Sequence, residues 1–240
     1  MDNGGAAVET LLQFRTRTQG FSRDSLPVDG KFVTSEGLRD KVDEQGEMLP
    51  FEGNTTVFLL DSDAGDRIRH IQKRLYEECG DMLAVPLIPE SFHMTLHDLK
   101  SGRAGTVPRD EIQKCGKEAL EILREIRSKE REPIAMRMTW VFNMVNTSIV
   151  TGFEPAGEKE CRRLMEMYEE LQKAVRLPYP LTPHVTAAYY KPGRYDPKTV
   201  EKLAKVFRSL SAERFTLDLR MEDLVCQEFF DMNHYKTILG

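Results

Sequence analysis

Hydrophobic and polar positions along the chain alternate between two periods, and each period predicts a different element. Ile68, Ile71, Leu75 and Cys79 recur at steps of three and four. That spacing is one helical face, so a helix is expected from about Asp66 until Gly80 stops it. Ile112, Cys115, Ala119, Ile122, Leu123 and Ile126 predict a second helix over 109–127, with Pro108 near its start. A third is expected over 158–177 from Cys161, Leu164, Met165, Tyr168, Leu171 and Val175. A fourth carries Val200, Leu203, Ala204, Phe207 and Leu210 behind the cap formed by Asp196 and Pro197.

Strand-like segments lie between these stripes. They are "TTVFLL" (55–60), "SFHMTLHDL" (91–99), "LTPHVTAAYY" (181–190) and "RFTLDLRMEDLVCQEFF" (214–230), together with "MRMTWVFNMVNTSIVTGF" (136–153), which reads as two strands around a turn at Asn143 to Asn146. Residues 1–50 show no such period. They begin glycine-rich, include a loop at "SLPVDGKF", and read as an N-terminal extension and lead-in outside the core.

The two halves of residues 51–240 share one order: strand, helix, strand with a His-x-Thr triplet, helix. This order predicts a single internally duplicated α+β domain. Its two lobes, over about 51–130 and 131–240, are antiparallel sheets with helices outside, related by a pseudo-twofold and open to strand exchange.

His93 and Thr95 form the first triplet, His184 and Thr186 the second. Residues i and i+2 of a strand point to one face about 6 to 7 Å apart, so each triplet aims an imidazole and a hydroxyl at one spot. A pseudo-twofold brings the four groups together. One neutral and one protonated imidazole can then act as base and acid, while the hydroxyls donate to phosphoryl oxygens. The second candidate activity is a catalytically silent nucleotide-binding module with the same pocket, and a third is a metal-dependent hydrolase.

Composition narrows the setting. Forty per cent hydrophobic and 30% charged residues in 240 describe an ordinary globular chain, and neither a membrane span nor a signal peptide is evident. The expected location is the cytoplasm, with the four scattered cysteines as free thiols. A net charge of −5 argues against a long duplex nucleic-acid partner. A monomer that binds a small nucleotide or short oligoribonucleotide, without a cofactor or metal, is expected instead.

The triplets "HMTL" and "HVTA", 91 residues apart, resemble the paired motifs of the two-histidine (2H) phosphoesterase superfamily, which includes RNA 2',3'-cyclic phosphodiesterases, once called 2'-5' RNA ligases. The segment "DKVDEQGEMLPFEGNTTVFLL" resembles the lead-in of an uncharacterised bacterial branch. The resemblance covers residues 41–239. It implies that His93 and His184 are the acid–base pair and that Thr95 and Thr186 bind phosphate.

Five further residues are candidates for the pocket. Tyr190 shares the parity of His184 and Thr186 and offers a stacking surface. His97 shares the parity of His93; its four-residue separation spans about 13 Å on a strand, too far for both imidazoles to hold one metal ion. His234, Tyr235 and Lys236 in the tail could close over a phosphate.

Overall fold

In the computed structural model, which describes residues 9–23, 25–27 and 31–238, the first element lies where none was expected. The Thr10 hydroxyl accepts from the Gln13 amide and the Gln13 side chain accepts from the Thr10 amide, a capping box that starts α1 (Leu11–Ser22). Phe14 of this helix is fully buried, as are Phe32, Leu38 and Val42 of the lead-in, so this stretch adds to the core instead of lying outside it. The loop anticipated over 25–32 falls partly outside the described residues. After it, β1 (Phe32–Val33) pairs antiparallel with β7 (Arg194–Tyr195) as a small second sheet.

The main sheet has eight antiparallel strands. In chain order they are β2 (Phe51–Leu59), β3 (His93–Arg103), β4 (Ile134–Met144), β5 (Ser148–Pro155), β6 (His184–Tyr189), β8 (Thr216–Leu219), β9 (Leu224–Phe229) and β10 (Tyr235–Ile238). Their spatial order is β10-β9-β2-β3-β6-β5-β4-β8, four strands to a lobe. The tail is therefore not one strand. The 3-10 turn Met221–Asp223 divides it, sending β8 to β4 in the second lobe and β9 back to β2 in the first.

Besides α1, four helices pack against this sheet: α2 (Ser62–Cys79), α3 (Arg109–Lys129), α4 (Glu158–Leu171) and α5 (Pro197–Ser211). The predicted stripes are their buried faces, apart from Ile122 and Ala204, which are only partly covered, and Val175, which lies beyond the end of α4 and is also only partly covered. Asp61 caps α2 through the Ala64 amide, and Asp196 caps α5 through the amides of Lys198 and Thr199. The third helix stops at Leu171, six residues before its anticipated end (177 − 171). Pro178 and Pro180 disfavour helix in the residues before them, and the Gln172 side chain accepts from the Leu177 amide to turn the chain away.

Within the sheet the two lobes pair at Met94 and Val185. These are the central residues of the two His-x-Thr triplets, and both side chains are buried in the core. The histidines and threonines consequently point to the opposite face, where the sheet walls a cavity.

Candidate active site

His93 begins β3 and His184 begins β6. Because the Met94–Val185 bridge is antiparallel, Thr186 lies level with His93 and His184 level with Thr95. All four are half-buried and line a cavity of about 740 Å³. This is within the size range of small-ligand sites.

Each imidazole is held by the backbone carbonyl two residues before it: His184 Nδ1 donates to Thr182 at 2.7 Å, and the His93 ring donates to Ser91. The Nδ1 bond leaves His184 Nε2 free to face the cavity. Burial lowers the pKa of both rings, that of His93 to about 4, against a smaller upward pull from Asp98. The free site thus holds two neutral imidazoles at pH 7.

Beyond the threonines the alternation breaks, in the same way in both lobes. Thr95 pairs with Val57 but His97 pairs with Thr56, so Leu96 is an extra residue; Thr186 pairs with Val150 but Ala188 with Ile149, so Ala187 is the matching one. Each bulge turns the following residues over. Asp98 and Tyr189 thereby line the cavity, Asp98 beside His97 and Tyr189 in the place that parity assigned to Tyr190.

The bulged backbone is satisfied from a distance. The hydroxyls of Thr55 and Thr56 donate to the His97 carbonyl, and Gln72 Nε2 of α2 donates to the Ala187 carbonyl at 3.1 Å.

The remaining candidates divide. Tyr235 enters the cavity with its ring 4.8 Å from that of His93 in an edge arrangement. His97 is buried at the cavity wall, its Nδ1 donating to the Asp98 carbonyl and its ring 5.1 Å from Tyr168. Tyr190 is not at the cavity: it is fully buried with its ring 4.9 Å from Phe32, where the bulge has turned it. His234 is exposed and pairs with Asp231, and Lys236 projects from the edge strand β10; neither lines the cavity.

The comparisons with known proteins bear on the fold. No protein-family model matches the chain, and no curated protein matches it in sequence. A conserved Agrobacterium tumefaciens protein of unknown function superposes with a TM-score of 0.66 at 20% identity, over 90% of this chain and 97% of that one. The two share one fold. Similar solved structures also include a Thermus thermophilus protein (TM-score 0.45, 17% identity, 78% of this chain and 94% of that one) and Escherichia coli LigT (0.39, 14%, 79% and 95%).

Four cavity residues carry no signal in strand periodicity: Asp98, Tyr189, Tyr179 and Lys41. Tyr179, on the loop after α4, donates its hydroxyl to Asp98 at 3.0 Å. That loop is tied to the N-terminal helix, since Arg17 of α1 donates to the Leu181 carbonyl at 2.9 Å while Glu9 holds the same guanidinium. Among the described residues no group of three His, Cys, Asp or Glu side chains is placed to share a metal ion, and no helix is long and apolar enough to cross a membrane.

Proposed function

We propose that the protein is a phosphodiesterase acting on a small ribonucleotide phosphodiester by histidine acid–base catalysis without metal. The observation that carries this is the antiparallel bridge between Met94 and Val185, which sets His93, Thr95, His184 and Thr186 side by side on the wall of one cavity. The resemblance of the two triplets to 2H phosphoesterase motifs supports the same conclusion.

In hydrolysis of a 2',3'-cyclic phosphate, one histidine takes a proton from the attacking water, and the other, which gains a proton as the anionic substrate binds, delivers it to the departing sugar oxygen. Thr95 and Thr186 donate to the non-bridging oxygens as negative charge builds on them. In cleavage of a short oligoribonucleotide, the base instead takes the proton of the neighbouring 2'-hydroxyl. A cavity of about 740 Å³ takes a mononucleotide or a short oligonucleotide end, and we assign neither a duplex nor a membrane partner.

The test is hydrolysis of 2',3'-cyclic AMP and short RNAs in excess chelator by the wild type, His93→Ala and His184→Ala. Chelator-resistant turnover that falls about 10²- to 10⁴-fold in each variant is the expected result. Variants as active as the wild type would overturn the assignment. A second activity, nucleotide binding without turnover, is favoured by one observation: both imidazoles are neutral in the free site. It predicts tight binding of the same nucleotides with no product.

A further inference from the structure

Besides the groups used above, the cavity holds a cation. Lys41 follows the 3-10 turn Glu36–Asp40, and its Nζ lies 4.9 Å from the centroid of the Phe51 ring and 5.9 Å from that of Tyr189. Asp98 and Asp40 attract this ammonium, yet among the described residues no carboxylate reaches it at ion-pair distance, and Arg103 already engages Asp40. Lys41 is half-buried, and this partial loss of hydration lowers its pKa. A half-buried cation that touches two aromatic faces and has no carboxylate at ion-pair distance costs free energy until an anion arrives.

Its position separates it from the scissile group. Phe51 pairs with Arg103 at the far end of β3, ten residues from His93 at the start (103 − 93). The charges that act on His93 are those of His184 and Asp98, and on His184 that of Asp98, whereas Asp98 and Asp40 act on Lys41. Asp98 is common to both groups. A carboxylate there repels a phosphate from the middle of the cavity and accepts from sugar hydroxyls, so a ligand that satisfies the whole site carries negative charge at both ends.

We propose that Lys41 binds a second phosphoryl group, and that the substrate is a nucleotide bearing a phosphate in addition to the scissile phosphodiester. A 5'-phosphorylated 2',3'-cyclic nucleotide and a 5'-phosphorylated short oligonucleotide have this chemistry. The assignment rests on the phosphodiesterase function proposed above for the scissile end. Phe51 and Tyr189 hold the ammonium by cation–π contact while it awaits the anion.

Two matched pairs of probes test this. Adenosine 2'-monophosphate and adenosine 2',5'-bisphosphate report binding by calorimetry at pH 7.5, and 2',3'-cyclic AMP with and without a 5'-phosphate reports turnover. In the wild type the added phosphate tightens binding and lowers KM by about 10- to 100-fold, the value of one charged hydrogen bond. Lys41→Met keeps the apolar stem against Phe51 and Tyr189 and brings both ratios close to one. Lys41→Arg restores most of the preference, which separates loss of the charge from loss of the fold.

A wild-type ratio near one, or an undiminished ratio in Lys41→Met, would overturn the assignment. If the bisphosphate preference depends on Lys41 but no cyclic phosphate is hydrolysed, the second-phosphate site stands and the catalytic assignment fails. If cyclic phosphates are hydrolysed with no preference for the 5'-phosphate, the site alone fails.

Discussion

An anionic substrate should recharge the site it enters. The His93 pKa of about 4 leaves roughly one molecule in a thousand protonated on that ring at pH 7. A phosphodiester oxygen in hydrogen-bond contact places its charge about 4 Å from the imidazole, worth about 4 kcal/mol at an effective dielectric constant near 20. That energy is about three pH units, which brings the ring's titration in the complex back to around neutral pH, where it is partly protonated. The complex then holds more protons than the free protein between about pH 4 and pH 7, so affinity rises as pH falls through that window. Calorimetry with the thymidine dinucleotide TpT, whose phosphodiester does not titrate in this range and lacks the 2'-hydroxyl, measures the effect in buffers of different ionisation enthalpy. Uptake of about half a proton per site at pH 7, abolished in His93→Asn, is expected. Binding with no uptake anywhere between pH 5 and 8 would refute the calculation, leave both imidazoles neutral in the complex and favour the silent binding module.

Three other outcomes follow from burial. The Tyr190 hydroxyl is buried without a hydrogen-bond partner, so Tyr190→Phe should leave urea stability unchanged or raise it by about 1 kcal/mol; a loss of that size would show that the hydroxyl is satisfied. Phe14→Ala should cost about 3–5 kcal/mol in the same assay, whereas a cost under about 1 kcal/mol would place α1 outside the cooperative core. The depressed His93 pKa lies below the ordinary value of 6.5, so the unfolded chain takes up the proton first as pH falls. The stability it contributes is complete above pH 6.5 and lost progressively toward pH 4; the urea midpoint should fall over that range, and less steeply in His93→Asn.

What could be read from the sequence divides along physical lines. Helix stripes and the two triplets are local patterns, and the residues that carry them, from Ile68 to Leu210, lie where their spacing puts them, except Val175 beyond the end of α4. The capping box at Thr10 and Gln13 is equally local, but α1 has only a weak apolar face and depends on Phe14 entering a core assembled from distant elements. Gly53 shows how β2 begins four residues before "TTVFLL": a Cβ there would lie 2.4 Å from the Lys100 carbonyl oxygen, a closeness no single-strand pattern reveals.

The two bulges are the deeper case, because the groups that satisfy them are far away in sequence. Gln72 reaches the Ala187 carbonyl across 115 residues, and Thr55 and Thr56 reach that of His97 across 42 and 41. A strict period of two therefore misses Asp98 and Tyr189 and assigns Tyr190 to the cavity, while His97 stays buried at its wall. The correction matters chemically as well as geometrically. Both bulges follow their threonine directly, so Asp98 and Tyr189 are equivalent positions of the duplicated strands, one a carboxylate and the other a phenol. The triplets that would act on the phosphate obey the pseudo-twofold, and this next position breaks it. A symmetric pair of triplets could accept a phosphodiester in either direction. With Asp98 on one side, and Lys41 attracted to it while near Tyr189 on the other, the cavity acquires a polarity that would favour one direction, and in the proposed mechanism that orientation would decide which histidine serves as acid and which as base.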